Sequence, residues 1–270
     1  MRSMMKRVSA AAFALLITVF GHAFAVTITI TDPDGKAVTS AVSDTVSNAE
    51  TNAGIGVNAR EALIDAIIDT AQTLYNNANG RWQRAEKSGD IYVCKNFTVY
   101  LFLQNADRFR MAEFPGVELN IPRLNKETDD GYDKGIVWED LSASDGNPFE
   151  VAAQFRYNDD LSLEENKEIA HAFMQQVERG DYFQMQASYY WGKGAHSLVF
   201  IKDYNPELDT VHWADSNMKT KKENGITYGL VQFNAEKDID WFVDAFCHPK
   251  RGATLYRLRD DIIFAGNRDE

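Results

Sequence analysis

A chain of 270 residues with 28 basic and 40 acidic side chains carries a formal net charge of −12. A surface this negative argues against nucleic-acid phosphates and anionic lipid headgroups as partners, and leaves neutral and peptide-like substrates open. With 44% apolar and 25% charged residues the composition is that of a globular protein long enough to bury a substantial core, and only two cysteines occur, Cys94 and Cys247.

Residues 1–25 read as a secretory signal peptide. Arg2, Lys6 and Arg7 precede an uncharged apolar run and the small-residue cleavage site Ala23-Phe24-Ala25. The run is short for a bilayer span, no cysteine sits at the cleavage site to take a lipid, and no later segment has the length and hydrophobicity of a membrane helix. The expectation is an exported protein, periplasmic or secreted, without a stable membrane anchor; its oligomeric state is not written in the sequence.

Residues 26–57 read as a loosely structured extension. Val26 to Ile30 alternate as a strand does and stop at the turn Asp32-Pro33-Asp34-Gly35, after which Ser, Thr, Ala and Asn dominate without apolar periodicity. Leu63, Ala66, Ile67, Thr70 and Leu74 recur at helical spacing, predicting an amphipathic helix over 58–77 that closes at Asn79-Gly80. A second helix is predicted to open at Cys94 with Phe97, Tyr100 and Leu101 inward, which makes the sequon Asn96-Phe97-Thr98 part of a helix rather than a glycosylated loop.

Residues 108–159 look irregular and surface-running, and the spacing of Asp129, Asp130 and Asp133 within their acidic loop does not follow a calcium-binding loop, so no metal is expected. Ser162 to Glu165 form a capping box that opens a helix to about residue 178, with Ile169, Phe173, Met174 and Val177 inward and His171 lacking a companion ligand. A strand begins near Tyr182, and an aromatic, glycine-punctuated stretch at 189–194 leads into a β-hairpin with arms 195–204 and 210–217. Residues 219–225 read as a polar loop, 226–233 as a strand, 238–247 as a helix and 254–257 as the last strand.

The chemistry gathers on that hairpin. Period-two geometry puts Trp213, Asp215 and Asn217 on one face of the second arm, and a turn centred near Pro206-Glu207 sets His196 opposite Asn217 and diagonal to Asp215. An imidazole beside an acceptor is the base and orienter of a nucleophilic triad, and Cys94 at a helix start is the nucleophile available to it, since the helix dipole and unpaired N–H groups favour a thiolate there. Cys247 falls late in a helix, where the dipole disfavours the anion. A Cys94–Cys247 disulfide is the competing expectation for an exported chain.

Cys94 opening an apolar helix, a Gly-Asp ahead of a strand, His196 in Gly-Ala-His-Ser-Leu-Val-Phe, and Asp215 with Asn217 in Ala-Asp-Ser-Asn resemble the papain-like CHAP and NlpC-type cysteine amidohydrolases and peptidases. The resemblance covers about half the chain. It implies an α+β, papain-like fold with the cysteine helix packed on a small antiparallel sheet, an N-terminal helical extension and a long irregular insertion. The implied catalytic residues are Cys94, His196, Asp215 and Asn217, with no cofactor, and the implied substrate is a cell-wall peptide or another peptide. Cys94 is followed here by Lys95-Asn96 rather than the small residues of many NlpC members, and Asp215 stands where the CHAP pattern has Glu. A disulfide-locked binding protein and a transglutaminase-type acyl transferase are the other functions compatible with these residues.

Overall fold

The structure, a computed structural model, describes residues 58–86, 90–121, 142–186 and 195–266, and the backbone of two strands near the N-terminus. Those strands, β1 (Thr27–Thr31) and β2 (Ala37–Ala41), pair antiparallel, so a second strand lies within the stretch predicted to be loosely structured. The signal peptide, the turn at 32–35, the acidic loop at 126–134 and the aromatic stretch at 189–194 lie outside the described residues. Contacts divide the chain into two units between Ile55 and Gly56, and the larger, from Gly56 onward, carries Cys94, His196, Asp215 and Asn217.

This larger unit is α+β. Its seven-stranded sheet contains β3 (Gln83–Arg84), β5 (Phe149–Arg156), β6 (Tyr182–Gln186), β7 (Ala195–Phe200), β8 (Thr210–Glu223), β9 (Ile226–Asp238) and β10 (Gly252–Leu258) in the order β3-β9-β8-β7-β6-β10-β5. Every described pairing in it is antiparallel. A two-stranded ribbon of β4 (Phe109–Met111) and β11 (Ile262–Phe264) stands apart. The sheet is therefore larger than the small one expected, because β5 and β10 extend it beyond β6.

Each strand of the centre feeds two cores, since successive side chains point to opposite faces. Tyr182, Val199, Ala214 and Tyr256 join one cluster with α1 (Ala59–Ala78) and α2 (Cys94–Leu103). Phe183, Leu198, Phe200, Trp213 and Leu255 join a second with α3 (Leu163–Met174) and α4 (Ile239–Phe246). Central strands buried on both faces read as continuous apolar runs, as in Leu198 to Ile201.

The helices follow local signals. In α1 the stripe Leu63, Ile67, Ala71 and Leu74 is buried, the Asn58 side chain accepts from Arg60 N–H at its start, and Asn79 adopts the left-handed conformation (φ 47°) at its end. Asn105 Nδ2 donates to Ala66 O, Thr70 Oγ1 and Leu101 O, fastening α2 to α1. The Ser162–Glu165 capping box is formed, but α3 stops at Met174, earlier than expected, and Ile169 is exposed, its inward place taken by Ala170 and Asn166. Asn166 is fully buried because its amide holds Asn158 O, Leu161 O and Ser162 O.

The strands depart from expectation in three further places. Residues 219–223 continue β8 rather than forming a loop, and the hairpin to β9 turns at Asn224 (φ 49°) and Gly225 (φ 80°), the left-handed pair of a two-residue type I′ turn. The stretch 108–159, expected to be irregular, contributes β4 and the edge strand β5, and β11 follows the strand expected to be last.

Candidate active site

The predicted helix start is observed: α2 begins at Cys94, with Phe97, Thr98, Leu101 and Phe102 buried against the sheet. Its N-cap, Val93, offers no capping side chain, so the sulfur of Cys94 itself accepts the Lys95 N–H. Two bonds dock the helix. Ser216 Oγ–H donates to Tyr92 O at 2.8 Å, just ahead of the cysteine, and Tyr182 O–H donates to Thr98 O at 3.2 Å one turn along.

The hairpin register is the one expected, with Val199 opposite Ala214 and Phe200 opposite Trp213. Towards the start of β7 this ladder ends, and the Ser197 N–H, no longer paired with β8, donates to the Cys94 sulfur. His196 and Asp215 share the sheet face of Leu198 and Trp213, while α2 packs on the other. The thiol meets them where the ladder is open, forming a side-chain hydrogen bond with His196. The other side of the ring is occupied by Asp215, whose Oδ2 lies 2.9 Å from His196 Nε2, and this leaves Nδ1 for the thiol.

Asp215 has no solvent exposure, and four donors satisfy it. Trp213 Nε1–H and Gln232 Nε2–H donate to Oδ1 at 3.2 and 2.8 Å; His196 and the Met218 N–H, the latter at 3.3 Å, serve Oδ2. Gln232 is placed by register. An irregularity between Trp213 and Asp215 brings Gln232 directly opposite Asp215, where cross-strand side chains share a face.

Asn217 does not reach the ring. A second irregularity, between Ser216 and Thr220, carries Asn217 out of the ladder at φ 61°, with its Cα and Cβ against Gly229, and folds the Met218 N–H back onto Asp215. The period of two that set Asn217 opposite His196 ends at the bulge, so of the four expected residues the structure brings together Cys94, His196 and Asp215.

Burial opposes ionisation of Cys94, but the charge and hydrogen bond of His196 with the N–H groups of Ser197 and Lys95 outweigh it, and the thiol pKa is lowered from 9.0. Burial likewise opposes the imidazolium, yet Cys94 and Asp215 hold its pKa up at about 10. Both shifts favour the thiolate–imidazolium pair over the neutral one. Both cysteines are free, so the Cys94–Cys247 disulfide does not form. Cys247, at the C-cap of α4, is buried, and burial pushes its thiol up to about 11.

The other histidines lie elsewhere. His212 Nδ1 is 3.0 Å from Asn234 Oδ1, and His171 pairs with Asp240 at 2.8 Å. No group of three or more metal-ligating side chains occurs among the described residues. Sequence reasoning missed Gln232 and the Met218 and Ser197 amides. Trp213 alone was legible, sharing the face of Asp215 two residues on. Comparisons with protein-family models, with curated proteins and with solved structures find no match to this chain.

Proposed function

We propose that this protein is an exported cysteine hydrolase of papain-like architecture that cleaves amide bonds in peptidoglycan or in peptides. The reading is supported above all by the hydrogen-bonded series Cys94, His196, Asp215, in which the thiol pKa is lowered, the imidazole pKa is raised and the orienting carboxylate is buried and fully paired. The Cys94 sulfur attacks the amide carbonyl, and a C–S bond forms. As the C–N bond breaks, His196 gives its proton to the departing nitrogen. A water then attacks the thioester and loses a proton to His196, the C–S bond breaks, and the acid and the thiolate–imidazolium pair are restored. First-turn N–H groups of α2 are the donors available to the developing oxyanion.

Export is supported by the N-terminal charge and hydropathy pattern, and the acidic surface leaves a peptide-like substrate open. The test is incubation with purified peptidoglycan and with a peptide mixture, following newly released amines. Wild type should release them, Cys94→Ser should not, and Cys247→Ser should behave as wild type. Equal release by Cys94→Ser and wild type would overturn the assignment.

A further inference from the structure

Two buried polar side chains stand on the sheet beside the thiol, on a face that is otherwise apolar core. Ser197 of β7 and Gln184 of β6 are directly opposite one another, both buried, and Ser197 Oγ–H donates to Gln184 Oε1 at 2.6 Å. The other end of that amide is unmet. Gln184 is 1% exposed, and its Nε2 has no hydrogen-bond partner among the described residues. Thr254, opposite Gln184 on its other side, accepts instead from Gln154 Nε2 at 3.0 Å. A buried donor left unpaired costs stability, and an apolar side chain of similar size, such as Met, would avoid that cost.

The backbone ladder shows what this pair holds. Successive residues of a strand turn their N–H and C=O groups to alternate sides. Phe200 N–H reaches Asp181 O on the β6 side and Ile201 N–H reaches His212 O on the β8 side, so Ser197, four residues before Ile201, also turns towards β8. There the β7–β8 ladder has ended, and the N–H goes to the Cys94 sulfur. Ser197 and Gln184 are therefore a non-hydrogen-bonded pair, without a backbone bond between them, and the Oγ–Oε1 bond is their direct link. The pair is also level with the thiol. Tyr182, two residues before Gln184 on the same face, bonds Thr98 O one helical turn beyond Cys94.

We propose that Gln184 is a positioning residue for the Cys94 nucleophile: by holding the Ser197 hydroxyl it fixes the β7 backbone at the open end of the ladder, so that the Ser197 N–H stays aimed at the sulfur. The proposal rests on the reading of Cys94 as the reactive thiol. An amide suits this place better than a carboxylate, because it accepts the hydroxyl without setting a negative charge near the sulfur. The charged group that bears on the thiol is His196 of β7, with Asp215 of β8 behind it.

Iodoacetamide labelling of Cys94 against pH reads the thiolate without any substrate, and an unlabelled Cys247 marks the molecules that are folded. Ser197→Ala and Gln184→Met each remove the Oγ–Oε1 bond and leave His196 and Asp215 in place. Each should raise the labelling midpoint by about 0.5 in pH, the order expected when one hydrogen bond to the ionised form is weakened. The double variant should go no further than either single variant, because both remove the same bond. Midpoints equal to that of wild type in both single variants would overturn the proposal, however much stability they lose. Shifts that add in the double variant would overturn the route through the Ser197–Gln184 bond. A protein that shows the expected shifts yet cleaves no amide would overturn the hydrolase reading alone, a separate failure.

Discussion

Asp215 is read best through what it would lose. A carboxylate with no solvent exposure and three donors besides His196 is anchored independently of the ring, so the ring is oriented by a fixed acceptor rather than by a mobile surface group. Asp215→Ala should lower the proposed amidase turnover by up to about 10²–10⁴-fold, the usual worth of the general base that it positions. Asn217→Gly, which keeps the positive φ, should leave turnover within about twofold. The reverse order of effects would reinstate Asn217 as the orienter. Ionisation gives a second check. Cys94 has a folded pKa below 9.0 and contributes stability above that value that is lost as pH falls through the folded pKa. His196, raised to about 10, contributes stability fully present below 6.5 and lost as pH rises through about 10. Iodoacetamide labelling of native Cys94 should therefore rise with a midpoint below 9.0, while Cys247 stays unlabelled at neutral pH. In His196→Ala the midpoint should move up, because burial, the largest influence on the thiol, then loses its main opponent.

At the scale of elements, the parts that were legible are those where one local rule decides. Cys94 at a helix start, the α3 capping box, the helix capped by Asp238 and the register of the β7–β8 hairpin all follow from side chains within a few positions of each other. What escaped depends on pairing with distant chain. β5 is an edge strand made by β10, with Gly252 opposite Arg156, and its mixed burial gives no clean alternation. The Asn224-Gly225 turn was legible and passed over, since the lysines and threonine before it look like a loop unless the turn is read first. The β8 bulge is invisible in sequence, yet it takes Asn217 from the site and supplies the Met218 amide. It depends on Gly229, where an added Cβ would come within 2.5 Å of Asn217 Cβ and 2.8 Å of its Cα. Gly229→Ala should thus destabilise the fold by about 1–3 kcal/mol, as overpacking does. It should also lower turnover in the protein that remains folded. Unchanged turnover per folded molecule would mean that the bulge does not aim Asp215.

The larger unit is built on one sheet with a core on each face, and the thiol and its base come from opposite sides of it. Phe183 sits at the centre of the α3/α4 core, its ring 5.5 Å from Phe200 and 5.7 Å from Phe242 between centroids, with no exposure. Phe183→Ala should cost about 3–5 kcal/mol in denaturant unfolding. A loss below about 1 kcal/mol would show that the two cores are not mechanically joined through β6. The open ladder between β7 and β8 also has a meaning in time. His196 and Asp215 are 19 residues apart and belong to hairpins that close within microseconds, whereas the helix carrying the thiol is tied to β8 by the Ser216–Tyr92 bond across 124 residues. A refolding chain is therefore expected to form the His196–Asp215 pair before the thiol gains the contacts that lower its pKa.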